Sequence, residues 1–462
     1  MALTTKNPFD ASVVVERAYS TDASIDAALD GAKKAQAEWR NISLAERMAV
    51  CAAFCDVFER DKASMAQLLA QQMGRPIRYG EGEIQGTIGR ARAMIDLAEA
   101  GLAPIEVSEQ EGLVRYIERE PVGLVLTIPA WNYPYLITVN SVIPALLAGN
   151  AVVLKPSSQA PLIGEHFTEA LLEAGAPVGL VSCLHLDHAG TEALVQDPRV
   201  DFVAFTGSTG GGKAMEQAAA GRFIGMGLEL GGKDPAYVRA DANVSFAVEN
   251  LADGSFFNSG QSCCGVERIY VHEDVYDEFV DGVVEVAKGY IIGDPLDEKT
   301  TLGPLAKKSG QQWVEKQVAE AVAEGAKAHI DASAFDVPSE GFFCIPQVLT
   351  DVNHNMDVMM EETFGPVACI MKVIGDDEAI ALMNDSPYGL TASVWTQDAD
   401  AAKRIGRRVD TGTFFQNRAD FLDPELAWVG VKDSGRGCTL SKVGFEHLTR
   451  PKSFHLRLDG KS

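Results

Sequence analysis

The sequence predicts an α/β protein in which parallel sheets carry helices on both faces. Three observations lead to that expectation. Beyond about residue 120, short runs rich in Val, Ile and Leu alternate with amphipathic stretches of helical period. Runs that are apolar throughout mark strands buried on both faces, as parallel sheets require. Glycine-rich turns stand where such runs pass into helices, most clearly at 207–212 (GSTGGG). The length, 462 residues, exceeds what one core organises, so two or three domains are expected.

The first hundred residues are predominantly helical. Residues 21–40 are Ala-rich with Asp and Lys interspersed, a surface helix ending near Trp39. From 43 to 73, Met48, Cys51, Phe54, Phe58, Met65 and Leu68 keep helical spacing behind Ser43 as N-cap, and Gly74, Arg75 and Pro76 end the run. A further helix covers about 81–100. Segments 114–118 and 122–128 read as two strands separated by 119–121, a hairpin. Alternation then begins: strand 150–155, helix 161–174, strand 180–186, helix 189–196, strand 201–206, helix 210–219 and strand 223–230. After Gly232 a second unit follows: strand 235–238, helix 244–257, strand 268–272, helix 274–290, a loop-rich stretch 294–310, helix 309–325 and strands 367–374 and 391–396. The tail 453–458 alternates like an edge strand, expected to pair with the 112–128 hairpin or with another subunit.

The net charge is −25, from 40 Lys and Arg against 65 Asp and Glu. Nucleic acid and anionic membrane surfaces attract basic patches, so neither is an expected partner. No apolar run is long enough for a transmembrane helix, and the N-terminal MALTTKNPFDAS lacks the apolar stretch of a secretory leader. The eight cysteines, at 51, 55, 183, 263, 264, 344, 369 and 438, form no CxxC pair; free thiols in a reducing cytoplasm are expected. The one close histidine pair, His185 and His188, has only Asp187 beside it, so no metal site is expected.

Candidate chemistry concentrates in a few stretches. At 258–265 (NSGQSCCG), two cysteines follow small residues. A reactive thiolate needs access and positive potential, yet free cysteines are among the most buried residues, so this stretch alone leaves both readings open. At 207–214 (GSTGGGKA) the chain nearly matches a P-loop, but Ala214 stands where a hydroxyl would hold magnesium. What remains is a strand-to-helix turn whose free N–H groups suit a dinucleotide pyrophosphate, or a helix start that needs glycine only for packing. At 129–134 (PAWNYP), Asn132 can aim an amide N–H at a developing oxyanion or form a turn. Glu229 ends an apolar strand, where open α/β sheets bind ligands; it reads as a general base, a helix cap or the partner of Lys233. Of Glu361 and Glu362, one reads as functional and the other as solvated.

In their order and spacing, 129–134 (PAWNYP), 150–158 (NAVVLKPSS), 205–213 (FTGSTGGGK), 229–233 (ELGGK), 257–271 (FNSGQSCCGVERIYV), 361–367 (EETFGPV), 386–395 (SPYGLTASVW) and 429–437 (VGVKDSGRG) make the chain resemble the aldehyde dehydrogenase superfamily over essentially its whole length. The resemblance implies Cys263 as nucleophile, Asn132 with the Cys263 backbone N–H as oxyanion site, and Glu229 as general base. It implies NAD or NADP as cofactor, with Lys155 at the adenosine ribose, Gly207 and Ser208 at the pyrophosphate beside Trp131, Glu362 at the nicotinamide ribose and Phe364 beside the nicotinamide. With Glu229 present, the implied outcome is oxidation of a small aldehyde and hydrolysis to the acid, not acyl transfer to coenzyme A. Esterase action by the same cysteine and a non-catalytic structural relative are the alternatives.

Several positions depart from the family pattern. Ser158 stands where many NAD-preferring members carry a glutamate, so NADP is expected to be accepted. Asn140 stands where members acting on succinic semialdehyde carry an arginine; Arg418 is then a candidate cation, while Asp420, Asp423 and Glu425 point instead to an amino-aldehyde. Cys264 is expected to be inert. The expected architecture is a Rossmann-like cofactor-binding domain (1–111 and 129–232), an α/β catalytic domain (233–440) and a small β extension (112–128 and 441–462) that joins subunits into a homodimer or homotetramer.

Overall fold

The computed structural model describes residues 2–458; Met1 and the last four residues of the expected C-terminal extension, 459–462, lie outside the described residues. Three helices, Asp22–Trp39, Leu44–Met73 and Ile77–Leu102, fill the first hundred residues. Ser43 and Glu46 form a capping box at the start of the second, and Gly74 ends it in the left-handed conformation, at φ 83°. A hairpin of Ala2–Lys6 and Val13–Ala18 precedes them, an element not expected from its polar sequence.

The first large sheet has six strands in the order Gly435–Arg436, Gly225–Glu229, Phe202–Thr206, Leu124–Ile128, Ala151–Leu154, Val181–Cys183. All neighbours are parallel except the outermost Gly435–Arg436. From Leu124–Ile128 the chain steps outward twice, then returns to lay Phe202–Thr206 on the other side. That reversal opens a crevice at the carboxyl ends of the strands.

The second large sheet has seven strands in the order Lys327–Ala328, Gln347–Thr350, Val367–Val373, Val266–His272, Asp234–Val238, Thr391–Trp395, Thr413–Gln416. Only Lys327–Ala328 runs antiparallel. Both faces are buried: along Asp234–Val238, Tyr237 joins one apolar cluster while Ala236 and Val238 join the other. The period-2 alternation of a strand thus feeds two cores at once.

The expected hairpin over 112–128 does not form. Leu113–Pro121 pairs with Thr449–Arg457 in a three-stranded sheet, whereas Leu124–Ile128 lies at the centre of the six-stranded sheet. Gly123, at φ 130°, lets the chain leave one sheet for the other, and its Cα faces the Asp201 carboxylate at a distance no side chain would tolerate. Two adjacent apolar runs look like a hairpin in sequence; burial separates them, because all five residues of Leu124–Ile128 are buried and those of Leu113–Pro121 are not.

Candidate active site

Four loops leave the carboxyl edge of the six-stranded sheet: 129–134 after Leu124–Ile128, Lys155 after Ala151–Leu154, Gly207 and Ser208 after Phe202–Thr206, and Glu229 at the end of its own strand. Against them stand segments preceding strands of the second sheet, Cys263 before Val266–His272 and Glu362 to Phe364 before Val367–Val373. The two sheets therefore deliver the expected site residues to one crevice.

The loop that carries Cys263 begins where helix Val244–Phe256 ends. Asn258, Ser259 and Gly260 have φ of 53°, 57° and 71°, three left-handed residues in succession. For Asn and Ser that conformation costs roughly 1–3 kcal/mol each, and neighbours enforce it. Ser259 Oγ donates to the Gly303 carbonyl (2.8 Å), Gln261 Nε2 donates to the Asn258 carbonyl (3.1 Å), and Gln261 Oε1 accepts from the Ala306 N–H (2.9 Å). A Cβ on Gly260 would strike the Gly365 carbonyl. The turn leaves Cys263 half-buried on the wall of a cavity of about 490 Å³, which also exposes Glu229, Arg90, Asp420, Phe421 and Trp428.

Asn132, 3% exposed, sits beside this loop: its Nδ2 donates one N–H to the Gln261 carbonyl (3.1 Å), leaving a second. Beneath lies a brace that sequence reasoning missed. Arg75 is buried and ion-paired with Glu83. It also donates to the Asn132 backbone carbonyl (2.6 Å) and to Asn258 Oδ1 (3.2 Å), while Glu83 accepts the Tyr135 N–H (2.8 Å). In sequence, Arg75 is a helix breaker between Gly74 and Pro76; only the fold reveals its charge as internal.

Glu229 accepts from Thr439 Oγ1 (2.5 Å) and Thr206 Oγ1 (3.4 Å), and burial raises its carboxyl above the ordinary range. Lys233 does not pair with it; Lys233 Nζ binds Glu267 (2.5 Å), and the Glu267 carboxylate accepts the N–H groups of Thr363 and Phe364. That buried pair fixes the loop carrying Glu362. Glu361 is exposed, whereas Glu362 accepts the Gly232 N–H (3.1 Å), and burial followed by the nearby Glu267 carboxylate pushes it up to about 8. Cys264 is buried and donates to Asp420 Oδ1 (2.9 Å); contact with Cys263 and burial hold its thiol well above the usual range. Arg418 lies outside the cavity lining: it is exposed, with its guanidinium 3.3 Å from the Phe421 ring centre.

On the other side of the crevice, Trp131 and Phe364 meet edge to face, ring centres 5.7 Å apart, and Lys307 Nζ stands 5.7 Å from the Trp131 ring. Ser208 caps helix Thr209–Ala218 by accepting from the Gly211 N–H (3.2 Å), and among the described residues the N–H groups of Thr209 and Gly210 have no protein partner. Lys213 turns away to Asp433 (3.2 Å), so no P-loop lysine faces the crevice. Lys155, 8% exposed, has no partner for its ammonium among the described residues. A largely buried cation with no hydrogen-bonded partner, acted on by Asp187, and an open helix N-terminus at the carboxyl edge of the same sheet fit the ribose and pyrophosphate of a dinucleotide. Ser158 is exposed close by.

A half-buried thiol, a buried carboxyl and an open helix N-terminus stand along one crevice, an arrangement compatible with an oxidoreductase that takes a dinucleotide. Comparison with known proteins narrows it. The profile described as the aldehyde dehydrogenase family matches residues 2–454. The succinate-semialdehyde dehydrogenase [NADP(+)] 1 of Mycobacterium tuberculosis is 33% identical over 455 residues, covering 98% of this chain and 99% of its own. The solved structure of Gox0499 superposes with a TM-score of 0.95 at 34% identity, covering 99% of this chain and 100% of its own. PnpE in complex with nicotinamide adenine dinucleotide does so with a TM-score of 0.95 at 30% identity, covering 100% and 95%. The chain belongs to the aldehyde dehydrogenase family. It is an NAD(P)-dependent aldehyde dehydrogenase. Among the described residues no helix is long and apolar enough to cross a membrane.

The exposed Ser158 allows a test of cofactor choice. Ser158→Glu places a carboxylate near the position expected for the adenosine ribose, where it repels a 2′-phosphate. The expected result is a loss of kcat/KM for NADP of at least about tenfold relative to NAD, measured by nicotinamide absorbance at saturating aldehyde.

Proposed function

We propose that the enzyme oxidises a small semialdehyde to the corresponding carboxylic acid, with Cys263 as nucleophile, Asn132 as oxyanion donor and Glu229 as general base. The observation that carries this reading is that Cys263 and Glu229 face one cavity while Asn132 is tied to the nucleophile loop. Cys263 Sγ attacks the aldehyde carbon and forms a thiohemiacetal. The free N–H of Asn132 and the backbone N–H of Cys263 hold its oxygen; one such donor contributes about 3 kcal/mol in related chemistry. When bound, NAD or NADP would accept the hydride that the thiohemiacetal carbon loses together with its hydroxyl proton, which would leave a thioester on Cys263. Glu229, its affinity for a proton raised by burial, takes the proton of a water that attacks the thioester. Thr439 and Thr206 fix the carboxylate for that task. On the cofactor side, Lys155, Ser158, Gly207, Ser208, Trp131, Glu362 and Phe364 would hold the dinucleotide. The semialdehyde assignment is supported by the mycobacterial relative named above.

The same reading extends to assembly. The three-stranded sheet of Ile105–Glu106, Leu113–Pro121 and Thr449–Arg457 leaves Ile105, Val114 and Leu456 exposed, a surface suited to a second copy in a homodimer or homotetramer. Eight free thiols suit a reducing cytoplasm.

The test is formation of reduced nicotinamide with NAD and with NADP across succinate semialdehyde, butanal and 4-aminobutanal. Reduction with at least one aldehyde is expected. No reduction with any of them, or cofactor-free ester hydrolysis at an equal rate, overturns the proposal.

A further inference from the structure

One guanidinium in the cavity is not used by the chemistry above. Arg90, on helix Ile77–Leu102, lines the same cavity as Cys263 and Glu229. A single nitrogen, Nη1, donates to the Leu136 carbonyl (3.0 Å) and to Asn140 Oδ1 (3.2 Å), both on helix Pro134–Leu147. Those two contacts aim the group without neutralising it. Among the described residues Arg90 forms no ion pair, and its Nε and Nη2 donate to no protein atom. Arginine stays charged in such surroundings and presents a planar fork of donors matched to a carboxylate. Glu229 and Asp420 act on this guanidinium from beyond salt-bridge distance, so its burial is only partly offset until a ligand carboxylate completes it.

Besides Glu229 the cavity holds two further acids, Asp253 and Asp420, and they are weaker candidates for recognition. Asp420 Oδ1 already accepts from Ser262 Oγ (3.1 Å) and Cys264 Sγ (2.9 Å), and burial pushes this carboxyl up to about 6. Asp253 is also raised by burial. Asp420 Oδ1 is thus already engaged by the protein, whereas Arg90 has donors to spare. Arg418, the cation singled out in the sequence, stacks on Phe421 at the surface.

We propose that Arg90 binds a carboxylate at the far end of the aldehyde substrate, so that the enzyme selects ω-carboxy aldehydes over neutral and amino-aldehydes. The assignment rests on the reading of Cys263 as the nucleophile in this cavity. It makes Asn140 a positioning residue, holding one edge of the guanidinium so that the other edge faces the substrate.

The experiment compares kcat/KM for succinate semialdehyde, butanal and 4-aminobutanal in the wild type, Arg90→Gln, Arg90→Lys and the double variant Arg90→Gln/Asn140→Arg. The wild type is expected to favour succinate semialdehyde over butanal, and Arg90→Gln to cut that ratio by at least about 30-fold. Arg90→Lys, which keeps charge without the fork, should keep an intermediate ratio, and the double variant should restore part of it by returning a cation to the same wall. Scoring the ratio excludes a merely structural role, which would lower both rates together. An unchanged ratio in Arg90→Gln, or a wild type that prefers butanal or 4-aminobutanal, overturns the Arg90 assignment while leaving aldehyde oxidation standing. No reduced nicotinamide from any aldehyde overturns the oxidation reading and the Arg90 assignment together.

Discussion

Glu229→Gln should release about one equivalent of reduced nicotinamide per active site in a rapid burst and then turn over about 10²–10⁴ times more slowly than the wild type. The expectation follows from the division of labour in the cavity. In the proposed mechanism, thiohemiacetal formation and oxidation draw on Cys263 and the oxyanion donors, and neither step asks Glu229 for a proton. Hydrolysis of the thioester does, because water is a poor nucleophile until a base removes its proton. The amide of glutamine keeps the size and can still bind Thr439 Oγ1, which sits 2.5 Å from the native carboxylate, but it cannot act as a base. Stopped-flow absorbance separates the phases; steady-state turnover equal to the wild type would remove Glu229 from the mechanism. The pH dependence supplies a second check with a defined sign. Glu229 works only when deprotonated, and burial raises its carboxyl above the ordinary carboxylate value near 4.3. Steady-state turnover should therefore fall as pH drops through that raised value, well before an exposed carboxylate would titrate. In Glu229→Gln this acidic limb should vanish from the residual rate.

The alternating architecture and the loop that carries each expected site residue could be read from the sequence because they depend on local pattern. Apolar runs at 151–154, 202–206 and 225–229 are buried strands, and a glycine-rich turn after a strand opens a helix, whatever lies elsewhere in the chain. Pairing between distant strands was less legible. Segments 113–121 and 124–128 are neighbours in sequence and belong to different sheets, a choice made by the competing partners Thr449–Arg457 and Ala151–Leu154, about 330 and 30 residues away. Charges were the least legible. Arg75, Arg90 and Arg418 look alike in the chain, yet one is buried under the loop that carries Cys263, one lines the cavity and one is exposed and stacks on Phe421. No local pattern distinguishes them, because each fate is set by helices and loops that converge only in the folded molecule.

Arg75→Met should cost about 3–5 kcal/mol of stability, because it leaves Glu83 charged in the interior with no cation beside it. The loss should reach the chemistry as well. Arg75 touches both the Asn132 backbone and the Asn258 side chain, and with the direct bond from Asn258 Nδ2 to the Asn132 carbonyl (3.3 Å) it couples the loop carrying Asn132 to the left-handed turn ahead of Cys263. Methionine fills much of the volume but donates nothing, and Asn258, at φ 53°, loses the bond to its Oδ1 while its Nδ2 still donates to the Asn132 and Gln261 carbonyls. Urea denaturation reads the first effect and turnover at saturating aldehyde and cofactor reads the second. Glu83→Gln distinguishes charge from geometry. The amide oxygen can still accept the Tyr135 N–H, 2.8 Å away in the wild type, while the ion pair is lost. If the brace acts mainly by positioning, Glu83→Gln should lose stability yet keep more turnover than Arg75→Met, since Arg75 remains to hold Asn132 and Asn258. Equal turnover in Arg75→Met and the wild type would mean that the left-handed turn is held by Ser259, Gln261 and the close packing of Gly260 alone, with the buried ion pair a matter of folding and not of catalysis.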